Sequence, residues 1–299
     1  MDITQVKLYQ EPELKNPTLL AGWSGIGGIG VIAVDTIRIG TGAEWFAEIL
    51  PREFMSPLNS GSVWSGVLND TEPPTNSFYF CKRAQSDLIF FVGQVPPRST
   101  DGLYETGKLV LDLAERFGCE RVYITGAAVS QIHHTVSPKV WAVTNQEDLI
   151  EEVRACPDII PMPATEASLG YGQELFGLHG VVLEYAKRRG LASICLLGEI
   201  PAYISKFPHI PYPKASRPIV GILTTILGID LDLAQFDDFV IPLDESIDKW
   251  VEWLPPKTRA MIDEIRDASC SDLGEHGPIT EDDQQKIMGD IDNFFNMGQ

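Results

Sequence analysis

Between Thr18 and Ile229 the chain alternates short, unbroken apolar runs with stretches of helical periodicity, and this alternation constrains the fold more than any other feature. A strand apolar at every position has no face to offer water, so both of its faces need cover. Thr18-Leu19-Leu20-Ala21-Gly22, Leu88 to Val92, Arg121 to Gly126 and Ala192 to Gly198 come close to this, with Ala192 to Gly198 read as a fully buried strand, and Val140 to Thr144 is a further strand. The intervening stretches Ile29 to Ile39, Leu103 to Phe117, Gln146 to Ala155 and Glu174 to Arg189 carry apolar residues at helical spacing. Asp101 is the expected N-cap of the second of these helices, and Gly190 suits a left-handed stop after the fourth. Ser216 is the expected N-cap of another helix, with Pro218 in its first turn, running to Leu227. This order predicts an α/β fold: a three-layer α/β/α sandwich around a mixed, mostly parallel sheet. Trp45 to Leu50, Val63 to Leu68, Phe78 to Lys82 and Leu88 to Val92 follow one another with no helix between them, which places a hairpin or antiparallel portion there.

Composition narrows the function classes. Of 299 residues, 42 are acidic and 23 basic, a formal charge of −19. Such a surface repels phosphate backbones and anionic bilayers, so neither nucleic acid nor membrane is an expected partner. The longest uncharged apolar stretch, Pro218 to Ile229, is a dozen residues, below the roughly 20 that span a bilayer. The N-terminus shows no basic region followed by an apolar stretch, and the five cysteines show no C-x-x-C spacing. A cytoplasmic protein without a disulfide framework or zinc site is expected. Most of the negative charge lies after Gly228, where 18 acidic and 5 basic residues fall in helical patterns from Asp244 to Trp253, Thr258 to Ala268 and Glu281 to Phe295. Residues 1–240 are read as an α/β core domain and 241–299 as an acidic helical extension. That extension is either a solvated face or a docking stripe, and in the second case Trp250, Trp253, Phe294 and Phe295 are the contact candidates.

Three motifs come close to known chemistry. Gly25-Ile26-Gly27-Gly28-Ile29-Gly30 is a literal G-x-G-x-x-G between a strand and a helix, the place where a pyrophosphate meets helix amides. The run that follows ends Leu50-Pro51, not in the acidic residue that would hold a ribose, so glycines for close packing are the alternative. Gly102 to Lys108 approaches a P-loop, but Leu109 stands where a hydroxyl would hold magnesium. Ser24 lacks the second glycine of a nucleophile elbow, since position 26 is Ile. Beyond the Arg121–Gly126 strand lie His133, His134 and Thr135, and Glu199 follows the Ala192–Gly198 strand. Both stand at the sheet end where parallel sheets keep their crevices. Gly25, Gly27, Gly28, His134, Thr135 and Glu199 are therefore the ligand-binding candidates, with a loop-structuring role for the histidines as the alternative. No catalytic residue, metal ligand or cofactor is assigned.

Several of these segments together resemble one family. Gly22-Trp23-Ser24-Gly25-Ile26-Gly27 resembles its Gly-Trp turn, and Gly126 through His134-Thr135 its strand and His-Thr segment. Gly198-Glu199-Ile200-Pro201-Ala202-Tyr203, then Pro208, Pro211, Pro213-Lys214-Ala215 and the helix leading into Gly228 to Leu233, resemble its Pro-Tyr element and Pro-rich loop. The resemblance, over roughly residues 15 to 240, is to the proteasome assembly chaperone 2 family. It implies a phosphorylase/hydrolase-like three-layer fold, homo-oligomers and, for eukaryotic and some archaeal relatives, help in assembling or engaging proteasomes. It supplies no catalytic set. An ATP-grasp or carboligase label carried by some bacterial relatives finds no motif here, and the chain's Met297-Gly298-Gln299 departs from the hydrophobic-Tyr-any ending of proteasome-engaging relatives. The expected function is thus a non-enzymatic, chaperone-like homo-oligomer with a protein partner; the alternative is an enzyme or sensor for a small anion or nucleotide.

Overall fold

The computed structural model describes residues 5–50, 62–64, 67–69, 74–162, 177–207 and 210–271. In chain order the elements are β1 (Val6–Leu8), β2 (Thr18–Trp23), a 3-10 turn (Ile26–Gly28), α1 (Ile29–Gly40), β3 (Glu44–Ile49), β4 (Ser62–Trp64), β5 (Val67–Asn69), β6 (Asn76–Cys81) and β7 (Leu88–Gly93). They continue with α2 (Thr100–Arg116), β8 (Arg121–Ser130), β9 (Val140–Thr144), α3 (Glu147–Ala155), β10 (Ile159–Pro161), α4 (Gly177–Arg189) and β11 (Ala192–Pro201). The last four are α5 (Ala202–Ser205), α6 (Pro213–Leu227), α7 (Ala234–Trp253) and α8 (Pro256–Ser271).

Nine strands form one sheet in the order β1-β3-β6-β7-β2-β8-β11-β9-β10. Its centre, β7-β2-β8-β11, is parallel, and these strands contain the longest apolar runs. Antiparallel pairing joins the flank β1-β3-β6 to β7 and joins β9 to β11. Side-chain alternation splits the interior into two cores, one per face. Leu19, Ala21, Ile124 and Cys195 pack with α2 and α4, whereas Leu20, Tyr123, Ile194 and Leu196 pack with α1, α3 and α6. Helices thus cover both faces, the three-layer α/β/α sandwich that the alternation predicts. Ile247 of α7 and Ile262 of α8 extend the second core.

Local differences from the sequence expectation have simple causes. Val63 to Leu68 is not one strand but falls in two short antiparallel strands, β4 and β5, paired with each other. The N-cap of α2 is Ser99, whose Oγ accepts from Gly102 N at 3.1 Å; Asp101 falls in the first turn. Helix α6 already starts at Pro213, so Ser216 lies inside it, and its Oγ donates to Ile29 O at 2.9 Å instead of capping. Gly190 and Gly228 take φ of +73° and +61°, the left-handed stops of α4 and α6. Helix α7 is longer than the Asp244–Trp253 expectation. Among the described residues no helix is long and apolar enough to cross a membrane. The expected Glu281–Phe295 helix, with Phe294 and Phe295, lies outside the described residues.

Candidate functional site

Strands β2, β8 and β11 end side by side, and the turns leaving them bring the singled-out residues to one end of the sheet. The glycine turn after β2 comes first. Gly27 and Gly28 have φ of +63° and +62°, which a side chain would strain. A Cβ at Gly27 would stand 2.9 Å from Ile200 Cδ1 and 3.0 Å from Tyr212 Cβ, and Gly27 O accepts from Tyr212 N at 2.8 Å. Gly25 is extended and exposed. Two further glycines let α1 lie against the sheet: a Cβ on Gly30 would be 2.2 Å from Thr125 O, and one on Gly22 would be 2.4 Å from Gly30 O. Glycine here serves close packing, with Ile200 and Tyr212 seated over the turn.

The loop after β8 carries the histidines. His134 is buried, and the Tyr203 hydroxyl meets it twice, accepting from the backbone N–H at 2.8 Å and lying 2.6 Å from Nδ1. Nε2 is 2.9 Å from Asp248 Oδ1, an acceptor. A neutral imidazole satisfies both partners in one way only: Nε2–H donates to Asp248, and bare Nδ1 accepts the Tyr203 O–H. Lys214 Nζ donates to His134 O at 2.7 Å and pairs with Asp244 Oδ2 at 3.1 Å. Burial dominates the electrostatics: it pushes the Tyr203 phenol up and the His134 imidazole down, although Asp248 pulls the latter upward. The His133 ring stacks 4.0 Å from that of His134, and its Nδ1 is 2.7 Å from Thr135 Oγ1. Desolvation, then the neighbouring His134 and Arg266, lower His133 to about 4. Thr135 itself is exposed.

Glu199 lies within β11, opposite Ala128 of β8, because that strand runs on to Pro201. It shares a face with Cys195 and Leu197, which point into the α2/α4 core. Its buried carboxylate accepts from Ser130 Oγ (3.3 Å), Trp141 Nε1 (2.8 Å) and Lys139 N (2.9 Å). Those partners knit the ends of β8, β9 and β11 together, whereas His134 is held by α5, α6 and α7. The glycine turn, the histidines and Glu199 thus share one end of the sheet but have separate partners. Among the described residues no group of three or more His, Cys, Asp and Glu is placed to hold a metal ion.

Trp250 and Trp253 part company. Trp250 packs its ring 5.1 Å from that of Phe207, while Trp253 is 87% exposed. The role of Asp248 and Lys214 was not read from the sequence. Its trace there is an aspartate row on α7, Asp237, Asp244 and Asp248, at positions i, i+7 and i+11.

Fold and site together define a three-layer α/β/α protein whose polar groups at the sheet end hydrogen-bond one another. The PAC2 family profile matches residues 19–251, and the chain belongs to that family. An uncharacterized protein of Methanocaldococcus jannaschii is 22% identical over 240 residues, 79% of this chain and 83% of that protein. Among solved structures, Pyrococcus furiosus PbaB, an archaeal proteasome activator, superposes with a TM-score of 0.68 at 26% identity, over 82% of this chain and 97% of PbaB. Pyrococcus furiosus PbaA, an archaeal homolog of proteasome-assembly chaperone, superposes at 0.61 with 21% identity, over 87% of this chain and 97% of PbaA.

Proposed function

We propose that this chain is a cytoplasmic, non-enzymatic, homo-oligomeric interaction protein of the proteasome-assembly-chaperone type. The observation that carries the reading is how the polar groups at the sheet end are used. Tyr203, His134 and Asp248 bond in sequence, Glu199 is occupied by three donors, and Tyr212 sits over the glycine turn. Tyr203, His134 and Glu199 are buried as well as bonded, so these groups are enclosed by their neighbours rather than turned toward an open site, which supports a structural use of them. Membership of the PAC2 family and the likeness to PbaA and PbaB support the same reading. Trp253, exposed at the end of α7, is its first contact residue, tryptophan being enriched among the residues that dominate interfaces. Trp250, already packed on Phe207, supports it from within.

Native mass spectrometry of the chain, alone and mixed with purified proteasome core particle, tests the proposal. A homo-oligomer that retains its mass after desalting is expected, with a further species on mixing. A monomer that ignores the core particle would overturn it. A thermal-unfolding panel of nucleotides and phosphates tests the other reading, a ligand between the Gly25–Gly28 turn and the His133–Thr135 loop. A midpoint rise abolished by Thr135→Ala would establish that ligand site instead.

A further inference from the structure

Helix α7 is held on the body by a row of polar contacts from its aspartates, two of them ion pairs and the third a hydrogen bond from a neutral histidine. Arg217 grips Asp237 with Nε at 2.5 Å and Nη2 at 3.2 Å. Lys214 pairs with Asp244 at 3.1 Å, and His134 Nε2 meets Asp248 at 2.9 Å. Lys214 and Arg217 stand three apart on α6, so they share a face, as do the three aspartates on α7. The Arg217 guanidinium holds the Asp237 carboxyl below its ordinary value, which marks a pair formed with the charged form.

The apolar anchoring is concentrated in the second half of the helix. Phe236 and Ile247 of α7 are buried, and Ile247 joins the core shared with α1 and α6 together with the part-buried Trp250 and Val251. Pro242 interrupts the helix between the first ion pair and the second, removing one backbone N–H from its ladder. The three carboxylates remain about one-third to one-half exposed, the regime in which salt screens ion pairs. An element secured in part by half-exposed polar contacts opens more readily than one secured by a packed face alone.

We infer that the seat under α7, formed by Lys214, Arg217 and His134, is an exchangeable docking surface for an acidic amphipathic helix. Its occupant in trans is a partner helix with carboxylates spaced as Asp237, Asp244 and Asp248 and an apolar residue in the place of Ile247. Charge complementarity argues for this occupant directly, since a helix of that pattern is what the seat holds in this chain. The inference rests on the interaction reading above and names the chemistry of one partner.

A fluorescein-labelled peptide with the sequence of residues 232–254 is the probe, titrated into the full chain while fluorescence anisotropy is read. Saturable binding at low salt is expected, weakening about tenfold when Asp237, Asp244 and Asp248 of the peptide are changed to Asn, as two half-exposed ion pairs and one hydrogen bond to a carboxylate would allow. Hydrogen exchange measured on the same mixture should show faster exchange in the chain's own α7 with no change in β2 or β8. Equal binding of the acidic and Asn peptides would overturn the inference, as would no binding at low salt. The protein is unaltered in this comparison, so a folding defect cannot imitate either result. A failed titration would leave the oligomer mass and the core-particle binding to be judged separately.

Discussion

One hydroxyl, that of Tyr203, binds His134 through both its backbone N–H, at 2.8 Å, and its Nδ1, at 2.6 Å. Tyr203 is in α5, just past β11, and His134 is in the loop past β8, so the pair ties two neighbouring strand exits together. Tyr203→Phe removes both bonds and leaves a buried N–H without its acceptor. The expected loss is about 2–3 kcal/mol of unfolding free energy, since stranding a buried donor costs more than a bond gains. Urea denaturation at neutral pH measures it, and a loss below about 0.5 kcal/mol would mean that another group takes up the N–H.

Acid should weaken the fold through the same loop. Burial lowers both His133 and His134 below the ordinary 6.5, His133 to about 4. In the unfolded chain these imidazoles take up a proton near 6.5, while folded His133 stays neutral until about 4. The unfolded state therefore binds more protons between these values, and stability falls as pH falls through that window. Thermal midpoints recorded from pH 7.5 to 4 should drop more steeply for the natural chain than for His133→Gln. Parallel curves would show that His133 carries no share of the effect.

The glycines make a contrast of two kinds. Gly30→Ala drives a Cβ to within 2.2 Å of the Thr125 carbonyl, backbone against backbone, and neither α1 nor β8 can yield without repacking. A loss of several kcal/mol, or no soluble protein, is expected. Gly42→Ala meets nothing within 4 Å and strains only its φ of +62°, so about 1 kcal/mol is expected. Chemical denaturation of the two variants side by side decides whether crowding or backbone freedom sets the glycine requirement.

Much of this was legible in the sequence, and what was not has a common physical cause. The central strands were readable because a strand covered on both faces must be apolar at nearly every position, as Leu19 to Ala21 and Ile194 to Leu197 are. Strands β1 and β10 are three residues each, too short for any period to register. At the candidate site, the glycine turn and the His133–His134 segment were visible as local patterns. Their partners were not, because Tyr212 closes on Gly27 and Asp248 reaches His134 only through the packing of α6 and α7 on the sheet. Ser216 shows the same limit: a good N-cap residue by type, it serves the Ile29 carbonyl of a distant helix. Periodicity reports which face is buried, and it is silent about which other face will cover it.

Tyr212 gives the sharpest counterpart to Tyr203. Both rings are buried at the same end of the sheet, and burial pushes both phenols up. The Tyr203 hydroxyl has two bonds to His134, whereas among the described residues the Tyr212 hydroxyl has no hydrogen-bond partner. A buried hydroxyl without a partner costs desolvation and returns nothing, and Phe fills the same ring volume without that cost. Tyr212→Phe is therefore expected to leave stability unchanged or raise it by about 1 kcal/mol, opposite in sign to Tyr203→Phe. The two variants should be unfolded in urea under one set of conditions. A loss in Tyr212→Phe as large as that in Tyr203→Phe would mean that the hydroxyl is bound in solution, by an ordered water or by a ligand atom at the glycine turn, and would direct the search for a ligand to that spot.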